Sequence, residues 1–344
     1  MKTMKEAMFY KKINGLVQCE LCPRNCRIAE GKTGFCRARE NQDGKLYSLV
    51  FGKPCSIAAD PIEKKPFFHF APGSHTLSVA TVGCNLRCQF CQNFEISQAE
   101  KISGENLMPE ELIKYVKNYA GFSWTYTEPT IFFEYFYETA KLCRKNKLDV
   151  YHTWVSNGYT NPEPIKKASK YLHAVNIDYK GNDRTYKELC MAELEPIQTA
   201  MIMHKKYGVW LEITNLVIPG YNDSDEQIKE MVQWILDNLG QIPLHFSRFY
   251  PMHKLVHVGI TPEKTLERVA NTAENMGLNY VYVGNIRHEK ENTYCHNCRQ
   301  LLIKRAGYAV EKIDLKKKGK DFHCPNCSAK IPLAGMEWSE NQFK

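Results

Sequence analysis

The chain has 344 residues, 43% of them apolar and 24% charged, which is the ordinary soluble globular mixture, and its length does not limit the size of a core. A net charge of +8 is modest for this size and demands no nucleic acid, and no stretch approaches the roughly 18 uncharged apolar residues of a membrane span. The start, MKTMKEAMFYKKINGL, has no apolar h-region or small-residue cleavage site, so the expected compartment is the cytoplasm, with no membrane partner.

Residues 1–75 bear cysteines and turn residues and read as a small N-terminal module, with a hairpin expected around Lys45 to Gly52. After Pro72, Gly73 and Ser74 the pattern changes to alternating strand and helix signals. Strands are expected at Thr76 to Val82, Phe122 to Tyr126, Val150 to Val155, Ala174 to Ile177, Trp210 to Val217 and Leu244 to Phe249. Helices are expected at about 109–119, 129–146, 162–171, 195–207, 224–239 and 262–276. Pro109, Pro129, Pro162 and Pro262 mark four of the starts, because a helix's first turn has N–H groups to spare.

Six strand–helix units imply a parallel sheet with right-handed crossovers, wrapped as an open or partial barrel. The expected fold is therefore α/β, a partial (β/α)6 TIM-like barrel over 76–288, with cysteine-rich metal-binding modules at 1–75 and 289–344. Reacting groups should stand on the loops after the strands' C-terminal ends.

Fourteen cysteines in a chain expected to stay in a reducing compartment call for metal, catalysis or burial before disulfides. They fall into three groups: Cys19, Cys22, Cys26 and Cys36; Cys84, Cys88 and Cys91; and Cys295, Cys298, Cys324 and Cys327. Cys55, Cys143 and Cys190 stand alone and carry no assigned chemistry. The central set, C-x3-C-x2-C, directly follows the first barrel strand. Three thiolates can hold three irons of a four-iron cube and leave the fourth open to a cofactor. A three-cysteine zinc site has the same residues; an apolar helical stripe is disfavoured by Gly83, Asn85 and the polar residues between the thiols.

The segment Gly83 to Ser97, GCNLRCQFCQNFEIS, resembles the cluster loop of the radical S-adenosylmethionine (SAM) superfamily, in the group similar to pyruvate formate-lyase activating enzymes. Pro61 to Gly73 (PIEKKPFFHFAPG), Tyr126 to Thr130 (YTEPT) and the terminal cysteine groups resemble the AmmeMemoRadiSam system radical SAM enzyme, over nearly the whole chain. The resemblance implies a partial (β/α)6 barrel, a [4Fe-4S] cluster on Cys84, Cys88 and Cys91, and SAM as cosubstrate, with Phe90 among the cofactor-binding residues.

The usual Gly-Gly-Glu after the second strand is absent, and Glu128 of Thr127-Glu128-Pro129 is the carboxylate expected to hold the cosubstrate ammonium. A Glu at a helix start stabilised by the helix dipole is the plain alternative. Ser156 and Asn157 are similar to a ribose-contacting turn, and Asp178 and Lys180 resemble an Asp-x-Lys pair that contacts sugar or carboxylate. Val217 is expected beside adenine, and His245 and Arg248 at the same mouth.

Cys295-x2-Cys298 and Cys324-x2-Cys327, 25 residues apart, have the spacing of a zinc ribbon, although Arg299 and Ser328 stand where glycine often follows each knuckle, and rubredoxin-type iron is the alternative. The lysines at 316–318 and 320 read as a solvated turn between them. The N-terminal four suit either zinc or an auxiliary iron–sulfur cluster, and Gly31 and Gly34, which make Cys36 part of a compact knuckle, favour zinc. The expected activity is reductive cleavage of SAM to a 5′-deoxyadenosyl radical that takes hydrogen from a small-molecule or protein substrate, in the manner of a glycyl-radical activase, with ferredoxin or flavodoxin as electron donor. A zinc-ribbon RNA-binding or RNA-modifying protein is the competing class, and a ferredoxin-like carrier is disfavoured by the missing fourth central thiol.

Overall fold

A computed structural model describes residues 4–340 of the chain. Its centre is one eight-stranded sheet of β1 (Ser56–Pro61), β2 (His75–Ala80), β3 (Gly121–Trp124), β4 (Tyr151–Ser156), β5 (Ala174–Asp178), β6 (Trp210–Val217), β7 (Leu244–Arg248) and β8 (Val281–Gly284). The strands lie side by side in chain order; β2 to β8 are parallel and β1 is antiparallel to β2. The sheet has two free edges, β1 and β8, so it is an open barrel. Strands β2 to β6 are buried along almost their whole length, as helices covering a parallel sheet require, whereas the antiparallel edge strand β1 is mostly half-buried.

The crossover helices are Pro109–Tyr115, Phe133–Lys145, Pro162–Ala168, Glu195–Lys206, Asp225–Leu239 and Glu263–Asn275. Each starts close to its sequence signal: Pro109 and Pro162 are first residues, and the Ser224 hydroxyl caps Asp225–Leu239 by accepting from the Gln227 N–H at 3.3 Å. The segment expected to be helical from 129 instead opens as a 3-10 turn, Pro129–Phe132, before the α-helix begins. Glu128 causes this, because its carboxylate accepts from Thr130 N and takes up the first orphan donor. Two strands escape the sequence signals. β8 spans only four residues, and β1 ends in proline and runs antiparallel.

Ahead of β1 lie two three-stranded antiparallel sheets, one of Tyr10–Ile13, Leu16–Cys19 and Arg27–Ile28, the other of Lys5–Glu6, Lys45–Ser48 and Arg39–Gln42. The hairpin expected around Lys45 to Gly52 turns earlier, at Asp43 and Gly44, whose φ of 52° and 69° suit a tight two-residue turn. Arg39 joins this region to the barrel, since its buried guanidinium pairs with buried Glu134 of helix Phe133–Lys145.

After β8 come Thr293–Tyr294, Leu301–Ala306 and Ala309–Ile313 in one sheet, and Lys316–Lys318, Asp321–His323 and Lys330–Ile331 in another. Lysines 316–318 thus form an exposed strand, and Lys320 stands in the exposed turn that follows it. This tail sits on the strap between β1 and β2. Arg305 donates to Phe68 O at 2.8 Å and stands 3.5 Å from Glu63, both side chains fully buried. The strap is fastened to the sheet by Glu212 of β6, whose carboxylate accepts from Phe68 N at 3.0 Å and His69 N at 2.9 Å.

Candidate functional site

Gly83, just past β2, has a φ of 100°, and a Cβ on it would stand 2.7 Å from the carbonyl oxygen of Cys36. Only glycine permits that approach, and it turns the following loop across the sheet. Cys84, Cys88 and Cys91 on that loop all line one cavity of about 510 Å³ at the C-terminal ends of the strands. The Cys84 sulfur accepts from Leu86 N at 3.4 Å and Asn157 Nδ2 at 3.6 Å, and the Cys91 sulfur lies 3.2 Å from the Ser97 hydroxyl. Burial, then the nearby Glu128 carboxylate, pushes the Cys84 thiol well up. A hydrogen bond with Cys190, then burial, does the same to Cys88.

The three thiols fit a polynuclear cluster. Among the described residues, only the C-terminal quartet brings its ligand atoms all within 4.8 Å of one another. Zn–S bonds of about 2.3 Å would place thiolates about 3.8 Å apart, so the wider central spacing suits separate irons. No fourth cysteine lines this cavity among the described residues. Cys190 is fully buried beside Cys88 and lies outside the lining.

Phe90, Ser156, Asn157, Asp178 and Lys180 line the same cavity. Lys180 pairs with Asp178 at 2.7 Å and lies 5.5 Å from the centre of the Phe90 ring. Burial opposes the Lys180 charge, yet Asp178 and the neighbouring thiols hold it well above its usual range. Glu128, by contrast, is fully buried and does not line the cavity. Its oxygens accept from Thr130 N at 3.0 Å, Thr130 Oγ1 at 2.7 Å, Ser156 Oγ at 2.8 Å and Asn157 N at 2.8 Å. The carboxylate expected to meet the cosubstrate instead holds the Ser156–Asn157 turn.

Three other expected residues stand elsewhere. Val217 and Arg248 end β6 and β7 but do not line the cavity, whereas Thr214, Leu216 and Ser247 do. Strand side chains alternate between faces, so the expectation missed by one residue on each strand. The Arg248 guanidinium turns to Thr261 O, 2.8 Å away, and to Glu263. His245 is the second residue of β7, at the end remote from the cysteine loop, and donates to Glu212 at 2.7 Å.

The cavity also takes residues that were not among the expected site residues. Lys64 and Lys65 come from the strap, Asn285 from beyond β8, and Tyr308 from the tail. Lys65 is buried, 2.8 Å from Asp60 and 4.0 Å above the Tyr126 ring, and Tyr126 donates its hydroxyl to Asp60. Burial brings Lys65 down to about 8 despite Asp60. Burial would raise Asp60, but hydrogen bonds from Lys64, Lys65 and Tyr126 hold it well below the carboxylate range.

In the tail, Cys295 Sγ lies 3.5 Å from Cys327 Sγ, and Cys298 Sγ 3.6 Å from Cys324 Sγ, which is the spacing of four thiolates on one tetrahedral ion. Cys19, Cys22, Cys26 and Cys36 line a separate pocket behind the central loop. No helix of the described residues is long and apolar enough to cross a membrane.

Residues 78–235 match the family model of the Radical SAM superfamily. The chain is 45% identical over 337 residues to the Uncharacterized protein MJ0808 of Methanocaldococcus jannaschii, covering 96% of this chain and 99% of that one. It is 24% identical over 287 residues to the Uncharacterized protein MJ0674 of the same organism, covering 77% and 76%. A radical SAM methyltransferase from Sphaerobacter thermophilus shares the fold at 14% identity, with a TM-score of 0.51 over 67% of this chain and 71% of that one. With the family match running from within β2 past β6 and taking in the cysteine loop between β2 and β3, residues 78–235 form a domain of the radical SAM superfamily of enzymes, which employ SAM and a [4Fe-4S] cluster.

Proposed function

We propose that the protein reductively cleaves SAM at a [4Fe-4S] cluster held by Cys84, Cys88 and Cys91, and that the resulting 5′-deoxyadenosyl radical takes a hydrogen atom from a small-molecule or protein substrate, as in a glycyl-radical activase. The observation that carries this is three cysteine thiols lining one cavity, with no fourth cysteine in that lining among the described residues. When bound, the cluster supplies one electron to the sulfonium. The chain's own residues do the positioning: Asn157 gives an N–H to the Cys84 sulfur, and Glu128 fixes Asn157 through its backbone N–H. Asp178 and Lys180 offer an acceptor and a cation to the polar groups of the cosubstrate. Lys64 and Lys65 make the strap side of the cavity cationic, which favours an anionic substrate.

In this reading the protein is a cytoplasmic AmmeMemoRadiSam system enzyme, its electron comes from ferredoxin or flavodoxin, and the C-terminal quartet holds zinc. Residues 1–75 and 289–344 then act as modules on a 76–288 barrel. The test is anaerobic reconstitution with iron and sulfide, reduction with dithionite and product analysis. Wild type is expected to yield 5′-deoxyadenosine and methionine from SAM, and Cys84→Ala, Cys88→Ala and Cys91→Ala each to yield none. Undiminished turnover in any one of the three refutes the assignment.

A further inference from the structure

We propose that Cys19, Cys22, Cys26 and Cys36 hold a second, closed iron–sulfur cluster, set against the back of the central cysteine loop. The tail quartet provides an internal standard for a single-ion site, with sulfurs 3.5 and 3.6 Å apart across two pairs. Among the described residues the N-terminal thiols form no such group within 4.8 Å, although all four line one pocket. Leu21, Ile28 and Ile131 wall that pocket, so it is largely apolar, as suits a cluster kept from water. Four thiols facing one pocket without closing to single-ion spacing match one ligand per iron.

A second observation concerns Arg39. Its guanidinium is 1% exposed, lines the pocket and donates from Nη1 to Cys19 Sγ at 3.3 Å, while its Nε has no partner. Phe35 N adds a donor to Cys26 Sγ at 3.5 Å. A buried donor without an acceptor is costly, and the inorganic sulfides of a cluster supply acceptors beyond the thiolates, which a lone zinc does not.

The third observation is contact. Cys36 O lies against Gly83, Asn85 walls this pocket while Cys84 walls the active cavity, and Arg87 donates to both Phe35 O and Cys84 O. A cluster with four thiolates has no iron left for a cosubstrate, so its task is electron transfer. A one-electron protein donor of the ferredoxin or flavodoxin type is oxidised as it reduces this cluster by one electron. The cluster is reoxidised as it passes that electron to the central site, and no bond is made or broken. That relay role rests on the radical chemistry proposed above; the cluster itself does not.

The test removes the central site first. The Cys84→Ala, Cys88→Ala, Cys91→Ala triple variant, reconstituted anaerobically with iron, sulfide and zinc, is expected to keep about four irons, its brown colour and one zinc per chain, and to lose the iron when Cys22→Ser is added. Two zincs and no iron in the triple variant overturn the proposal. In the otherwise native chain, Cys22→Ser with Cys36→Ser is expected to lower iron from about eight to about four per chain. An unchanged iron content there overturns it as well. Reduced wild type should give an electron paramagnetic resonance spectrum broadened by coupling between two clusters, and a plain sum of two isolated signals refutes the contact. Because the triple variant lacks the central cysteines, failure here leaves the radical SAM assignment standing, and failure of SAM cleavage in wild type leaves this cluster standing.

Discussion

The side-chain Nδ2 of Asn157, at the end of β4, stands 3.6 Å from the sulfur of Cys84 on the loop after β2. A donor on a thiolate sulfur stabilises the reduced form of whatever iron that sulfur binds, because the added electron density sits partly on the sulfur. Asn157→Ala is therefore expected to make the central midpoint potential more negative and to slow SAM cleavage about 10- to 100-fold. A redox titration followed by electron paramagnetic resonance measures it, and an unmoved midpoint means the amide does not act on the sulfur.

Glu128 is buried with four donors aimed at its two oxygens. Glu128→Gln replaces one oxygen by an NH2 that faces a donor, and each unsatisfied group costs about 1 to 3 kcal/mol. A lower melting temperature is expected, together with weaker SAM binding as the Ser156–Asn157 turn loosens. A lowered melt with an unchanged SAM titration would confine Glu128 to stability.

His69 is fully buried, donating from Nδ1 to Pro332 O at 2.6 Å and accepting at Nε2 from the Tyr282 hydroxyl at 2.6 Å. Burial lowers its pKa from 6.5 to about 4, so between those values the unfolded chain binds the extra proton. Stability from this group is complete above pH 6.5 and falls by on the order of 3 kcal/mol as pH drops to about 4. Denaturant titrations at pH 7 and pH 4.5 should show that loss, and His69→Gln should flatten it.

Arg305 and Glu63 are a buried pair between tail and strap. Arg305→Met leaves the Glu63 charge uncompensated and is expected to cost about 3 to 5 kcal/mol. Adding Glu63→Gln should recover part of that loss in a double-mutant cycle, and additive effects would show the pair to be uncoupled.

Cys298→Ser removes one of four thiols spaced for a single ion. One zinc per chain is expected to be lost, with hydrogen exchange accelerating across 293–331 while β2 to β7 stay protected. Wild-type protein without zinc would contradict the zinc assignment.

Much of the barrel is legible in the sequence because strand and helix periods alternate from residue 76 onward, with proline at helix starts. The cysteine loop is legible because its thiols are local in sequence. Val217 and Arg248 fail for a physical reason: a strand's period of two makes a one-residue error a change of face, which puts Leu216 and Ser247 in the cavity. Lys65, Tyr308 and Cys190 were illegible because folding alone brings them to the site, from the strap, the tail and the 186–190 turn. The four donors that close over Glu128 come from Thr130, Ser156 and Asn157, and only the fold brings the last two to it.

The seat of the tail on the strap bears on how this protein can be divided. A shortened chain ending at β8 would uncover the buried Glu63 carboxylate, strip the Arg305 cation from the Phe68 ring 4.2 Å away and take the Pro332 acceptor from His69. The same strap carries Lys64 and Lys65 into the cavity. The barrel and its cysteine-rich tail are thus expected to resist separation by proteolysis, to be poorly recoverable as single fragments, and to travel as one unit through any gene fusion or recombination.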